Sequence, residues 1–229
     1  GEGGDVVAHA VGGRDRPGLF AVDGDTGVRQ GRQDARQRQH VLAGVQADRR
    51  VVRFVAGAGA WFDAHGDAVG LADLSVFSKF EVTGPGTEAF LMSLGANTPP
   101  RVGRVGLTHA LSPAGGTQSE FTVARLAPDH AYLTSAAAAE EMDDDLLRAR
   151  AADHDVTITR VTDRLGAIGL MGPKSRDVLA ALTDADLTEG FPWLSVREIN
   201  VVGIPVRAMR LSYVGELGYE LYIPTEHAA

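Results

Sequence analysis

The chain of 229 residues contains no cysteine. That single absence removes disulfides, thiol catalysis, iron–sulfur ligation and cysteine-built zinc sites. Its seven histidines are scattered, with no HxxxH or HxH pair, so a histidine-built metal site is not expected. No apolar run approaches the roughly 20 residues of a membrane-spanning helix. The N-terminus has no positive segment leading into an apolar core, so no secretory leader is read there and a cytoplasmic location is expected. Lys and Arg number 22 against 30 Asp and Glu, a net charge of −8, which argues against a nucleic-acid partner. The P-loop and GxGxxG spacings are also missing. Gly84-Pro85-Gly86 and Gly172–Arg176 read as turns that open helices rather than as phosphate cradles.

A second absence divides the chain. Residues 1–60 hold no Ser, Lys, Ile, Asn, Tyr, Met or Trp, and the first six of these types occur only after Leu74. Apart from Phe20, Thr26 and Phe54, every residue there has a codon that can begin with G or C. Folding does not select residues by codon, whereas a GC-rich gene read out of frame does. Residues 1–60 are therefore expected to be a low-complexity segment, disordered or translated out of frame, with Val51–Val55 able to pair as a short strand. Gly-rich, Arg/Gln/Asp-rich sequence such as Gly31–His40 buries too little apolar surface to offset its ordering entropy. The folded domain is expected over 61–229.

From Leu71 the patterning becomes that of a packed protein. Leu74–Val82 alternates as a strand and ends at a Gly-Pro-Gly turn. Thr87 is placed to cap a helix running through Leu94. Val105–Leu111 and Glu120–Leu126 read as strands joined by a hairpin at Ser112–Gly116, and His130–Thr134 as a third. Ala136–Ala152 reads as a helix with Met142, Leu146 and Leu147 on its apolar face, acidic early and basic late as the helix dipole favours. Val156–Val161 and Leu165–Met171 are strands, Pro173 opens a helix to Leu182, and Leu194–Val201 and Val206–Leu211 are strands. Strands joined by hairpins and interleaved with isolated helices predict an α+β fold with antiparallel sheets and packed helices.

Arg210–Pro224 then packs Tyr213, Glu216, Tyr219, Glu220 and Tyr222 around a Gly215–Gly218 pair. The alternation predicts two short strands on a glycine turn. Two readings stand side by side: a half-buried hairpin with aromatics on its inner face, or a site for a flat, polar heterocycle.

Six segments, in order, resemble one family: Asp73–Gly86, Ala96–Pro99, Ala114–Leu126, Thr162–Arg176, Phe191–Ile199 and Tyr213–Pro224. The resemblance is to the folate-binding aminomethyltransferases, the fold of the glycine-cleavage T-protein. The wording of Tyr213–Pro224 and Thr122–Leu126 is most similar to the C-terminal folate domain of dimethylglycine and sarcosine dehydrogenases. That branch carries FAD in a separate domain, and the family fold includes a C-terminal barrel. The chain is therefore expected to be an incomplete copy of the fold, with FAD bound only in a domain it does not contain.

The resemblance implies tetrahydrofolate as cofactor and a small methylated amine or aminomethyl donor as partner. It implies that N5 of the folate takes up a one-carbon unit beside a carboxylate, at the position of Glu120. The family residue there is aspartate, so the arm of Glu120 is one methylene longer. A displacement of about an ångström is enough to cost on the order of a hundredfold in rate. Tyr213 and Glu220 match positions that contact the pterin, Phe77 matches a channel-lining residue, and Glu216 is assigned to the turn. Leu107 stands at a channel position that is commonly tyrosine, and Ser112 where asparagine is common. His109 lies beside them and is read as structural. Two further readings remain within this fold: a glycine-cleavage aminomethyltransferase, and an inactive fragment or non-catalytic folate-binding module. The absence of cysteine counts against the iron–sulfur-assisting modules of the family.

Overall fold

A computed structural model describes the backbone of Val52–Phe54 and residues 69–227. Apart from Val52–Phe54, the expectation for 1–60 falls outside the described residues. Two sheets lie one upon the other. The first has six strands in the order β1 (Val52–Phe54), β2 (Val69–Asp73), β8 (Leu165–Met171), β11 (Gly218–Pro224), β10 (Ile204–Met209) and β9 (Val196–Val201). Its pairings are antiparallel except for the parallel β1–β2 edge. The second has five antiparallel strands in the order β4 (Val105–Leu111), β5 (Thr117–Ala127), β6 (His130–Ser135), β3 (Ser78–Thr83) and β7 (Thr157–Arg160). Among the described residues three α-helices complete the fold: α1 (Thr87–Leu94), α2 (Glu140–Ala151) and α3 (Ser175–Ala180).

Period-two alternation gives each sheet two faces. The outward face of the five-stranded sheet, with Phe80, Val82, Phe121, Val123 and Leu133, packs on Phe90, Leu91 and Leu94 of α1 and Leu147 of α2. The outward face of the six-stranded sheet, with Leu71, Leu170, Val206, Tyr219 and Leu221, is covered by Leu179, Leu182, Leu187 and Phe191. Between the sheets lies a smaller layer of Val105, Ala124 and Tyr132 against Ala167, Val196, Met209 and Tyr222. Backbone bonds fasten the two sheets at one end, from Val105 N–H to Leu194 and from Val196 N–H to Gly103.

Four sequence expectations are corrected. Leu74–Val82 is not one strand, because the chain changes sheets there. Asp73 Oδ1 accepts from Ser75 N–H at 2.9 Å, the Phe77 N–H bonds the Leu74 carbonyl, and β3 begins only at Ser78. Gly86, not Thr87, is the cap of α1; the buried Thr87 hydroxyl donates back to the Gly84 carbonyl at 2.7 Å. Helix α2 follows a 3-10 turn at Ala137–Ala139, and on it Met142 is exposed while Asp143 is buried. Arg210–Leu211 do not extend a strand into the glycine turn. Strand β10 ends at Met209, and residues 210–217 form a loop with Gly215 at φ 77°.

Candidate functional site

The site is built on the faces that the two sheets turn toward each other. In an antiparallel pair, directly opposed residues share a face. The register Leu107↔Thr122, His109↔Glu120, Thr122↔Thr134 and Ala124↔Tyr132 therefore puts Leu107, His109, Glu120, Thr122, Tyr132 and Thr134 on one face. Tyr132 and Ala124 bury against the opposite sheet, so this face is the inner one. On β11, Glu220 and Tyr222 share the face that meets it, while Tyr219 points into the outer core.

Across the layer the rings of Tyr132 and Tyr222 meet edge to face, with centroids 5.1 Å apart. Arg207 stacks its guanidinium 4.5 Å from the centroid of Tyr132, and its N–H groups reach Glu198 at 2.8 Å and Glu81 at 3.2 Å. Glu220 is half-buried, and the Tyr222 hydroxyl donates to its Oε2 at 2.5 Å. Burial pushes the Glu220 carboxyl above its ordinary value, with the Tyr222 hydrogen bond opposing. Burial likewise pushes both tyrosine hydroxyls well up, so they remain protonated donors.

Glu120 lies toward the open end of the same face, 56% exposed, with its Oε2 2.7 Å from His109 Nε2. The histidine read as a bystander is the partner of the candidate carboxylate. Strand spacing within β4 or β5 could not reveal this, because the pair exists only through the register between them. Leu107 is half-exposed two residues along β4 from His109. Phe77 is 41% exposed on the turn between the sheets. The buried Lys79 on the next strand donates to the Ser75 and Phe77 carbonyls, each at 2.8 Å, and so fixes that turn. Burial lowers the Lys79 ammonium from its ordinary value, with Glu140, Asp73 and Asp163 opposing.

Tyr213 stands apart from this group, 87% exposed on the 210–217 loop. Glu216 is exposed, and no side-chain hydrogen bond holds it among the described residues. Ser112 Oγ accepts the Gly116 N–H at 3.1 Å and so closes the β4–β5 hairpin. Ser119 lies on the other, outward face of β5, opposite Ala110. Among the described residues no group of three or more His, Asp or Glu could hold a metal ion, and no helix is long and apolar enough to cross a membrane.

The profile of the GCVT N-terminal domain matches residues 37–229. The chain belongs to that family. The match begins inside the segment that composition sets apart. Mouse dimethylglycine dehydrogenase, a mitochondrial protein, is 37% identical over 179 residues, which cover 74% of this chain and 21% of the relative. An aminomethyltransferase of Chloroherpeton thalassium is 33% identical over 164 residues, covering 71% of this chain and 45% of the relative. The chain thus spans about a fifth of the dehydrogenase and less than half of the aminomethyltransferase. Among solved structures, the glycine cleavage system aminomethyltransferase T from Bartonella henselae superposes with a TM-score of 0.60 at 23% identity, covering 69% of this chain and 42% of that one. This GCVT-type fold is the α+β architecture of antiparallel sheets expected from the sequence, and the chain covers part of it.

Proposed function

We propose that this chain is the tetrahydrofolate-binding part of a one-carbon transfer enzyme of the cytoplasm. It takes a methylene unit from an iminium or aminomethyl donor to give 5,10-methylenetetrahydrofolate. The observation that carries the reading is Glu220, a half-buried carboxylate between two sheets with its second oxygen unoccupied among the described residues. An acceptor-only group in that setting complements the amino and ring N–H donors of a pterin, which is the fit this cofactor needs. When bound, tetrahydrofolate supplies the nitrogen nucleophile.

The residues of the chain divide the remaining work. Glu220 orients the heterocycle by accepting its N–H donors at Oε1. Phe77 and Leu107 offer apolar contact at the rim, and Tyr213 closes over the ligand from its loop. Glu120 stabilises positive charge on the donor and takes a proton at Oε1, while His109 holds Oε2. The higher identity with the dehydrogenase relative favours a methylated-amine-derived donor; the aminomethyltransferase relative supports the same site acting on an aminomethyl adduct.

Calorimetric titration of the chain with tetrahydrofolate tests the reading. Saturable heat is expected, with loss of binding in Glu220→Ala and retained binding in Glu120→Gln. No heat at millimolar ligand rejects it.

A further inference from the structure

The Glu220 carboxylate does not stand alone on its strand. Two residues on, Tyr222 is buried and places its hydroxyl 2.5 Å from Glu220 Oε2. Residues i and i+2 of a strand share a face, so the bond is local to β11 and needs no loop to form it. What makes it rigid is the tertiary surround. The Tyr222 ring is pinned edge-on by Tyr132, and the Thr134 hydroxyl lies beside its oxygen. Opposite Glu220 in the register stands Gly169, where a Cβ would lie 2.9 Å from Met171 Cε and 3.1 Å from Leu74 Cδ1. The flank of Glu220 toward β8 is therefore closed by apolar side chains. Glu220 Oε1 has no hydrogen bond among the described residues, and the residue is only half-buried.

We propose that Tyr222 is a positioning residue for ligand recognition: it ties down one oxygen of Glu220 and so presents the other to an N–H-bearing heterocycle in the gap between the sheets. The inference rests on the reading of Glu220 as the pterin contact and adds the group that sets its geometry and charge. A carboxylate held by a neutral phenol keeps its negative charge more readily than one desolvated without a donor. Removing the hydroxyl leaves burial unopposed, and the Glu220 carboxyl then titrates at higher pH.

Among the described residues, the charged and titratable groups on the inner faces around Glu220 and Tyr222 are Tyr132 on β6, Arg207 on β10, Glu81 and Lys79 on β3, and Glu198 on β9, with the His109–Glu120 pair at the rim. Arg207 is already paired with both Glu81 and Glu198, and the Lys79 ammonium is bound to two carbonyls. His130 Nε2 lies 3.6 Å from Glu81 Oε2 and has no contact with Glu220 among the described residues.

The test compares Tyr222→Phe with Tyr219→Phe in the full chain. The Tyr219 hydroxyl lies in the outer core, 3.4 Å from the Leu187 carbonyl, and so serves as a buried-hydroxyl control. Carboxyl-carbon NMR of glutamate-labelled protein without ligand reads the Glu220 midpoint, assigned by its loss in Glu220→Gln. Calorimetry with tetrahydrofolate between pH 5 and 8 reads affinity. Tyr222→Phe is expected to move the Glu220 midpoint upward, to weaken folate roughly tenfold at neutral pH, and to carry the pH midpoint of binding up with it. Tyr219→Phe is expected to change thermal stability alone. An unmoved Glu220 midpoint in a folded Tyr222→Phe overturns the proposal. So does a shifted midpoint with unchanged affinity and pH profile. If Tyr222→Phe does not fold, global 3-fluorotyrosine labelling is the second variant: its hydroxyl is a stronger donor, so the Glu220 midpoint is expected to fall, and an unmoved midpoint overturns the proposal. Failure of the parent protein to bind folate at all rejects the assignment of Glu220 to the pterin, and with it the ligand-positioning role, while the midpoint still reports on the carboxylate–phenol pair.

Discussion

The two outward faces of the sheets and the layer between them are built from the same strands and follow opposite rules. The outer clusters are almost wholly apolar, from Phe80, Phe90, Phe121 and Leu147 on one side to Leu71, Leu179, Phe191 and Val206 on the other. The inner layer has a short apolar floor. Around it stand two tyrosines, an arginine with two glutamates, a half-buried carboxylate, and a carboxylate–histidine pair at the rim. Burial of hydrocarbon is favourable at roughly 25 cal/mol per Å², whereas each desolvated charge is unfavourable unless partnered. A fold that needed only stability would treat the inner faces like the outer ones. The difference fits the proposal that the inner layer is the part kept for binding.

The comparison is broken most severely by emptying an outer core. Phe90→Ala removes a fully buried ring and is expected to cost about 3–5 kcal/mol, read by chemical denaturation. Next comes Lys79→Met, which leaves the Ser75 and Phe77 carbonyls without their donor. A loss of about 1–3 kcal/mol is expected, with faster proteolysis at the 74–77 turn that carries Phe77.

Glu220→Gln sharpens the contrast in the opposite direction, by raising stability while abolishing folate recognition. The sign follows from the direction of the shift. Folding raises the Glu220 carboxyl above its ordinary value of 4.5. Its favourable contribution is therefore present below that value and is lost as pH rises through the higher folded value. The gain from glutamine is expected to be visible at pH 8 and to vanish toward pH 4 in denaturation midpoints taken at both. The smallest effect is expected of Glu88→Gln. Glu88 is 67% exposed, and the buried Arg125 also donates to the Ala127 and Pro128 carbonyls. A change within about 1 kcal/mol is expected; a larger loss would place a charge-dependent contact outside the inner layer and weaken the comparison.

Much of the strand content was legible. Val105–Leu111 and Leu165–Met171 match β4 and β8 residue for residue, because unbroken alternation or an apolar run is bounded there by glycine and proline turns. The helix at Thr87–Leu94 was equally plain. The misreadings share a cause. Leu74–Val82 alternates as well as any strand, yet the chain crosses between sheets at Leu74–Phe77, and alternation carries no information about which sheet a residue joins. Helix α2 buries Asp143 with Leu147, four residues on, and leaves Met142 exposed, a choice of face that tertiary packing makes.

At the site, Glu220 and Glu120 were picked out by their motifs, and the structure puts them on the facing inner sides of two different sheets. Tyr213, chosen by the same motif, lies out on its loop at 87% exposure. His109 was seen and set aside, since its bond to Glu120 depends on the β4–β5 register. Tyr132 and Arg207 carried no signal in the sequence, because their stacking joins β6 to β10 across the layer.

By itself the sequence determined the local alphabet of this protein: which segments are strands, where glycine and proline end them, the want of thiol chemistry, and the motifs of its family. These depend on neighbours a few residues apart, where period and turn chemistry act. Only the tertiary structure decided which face of each strand turns inward, that His109 meets Glu120, and that Tyr222, braced by Tyr132, holds Glu220. Those outcomes rest on register and on sheet-to-sheet packing between residues up to a hundred positions apart, and no local pattern encodes such a distance.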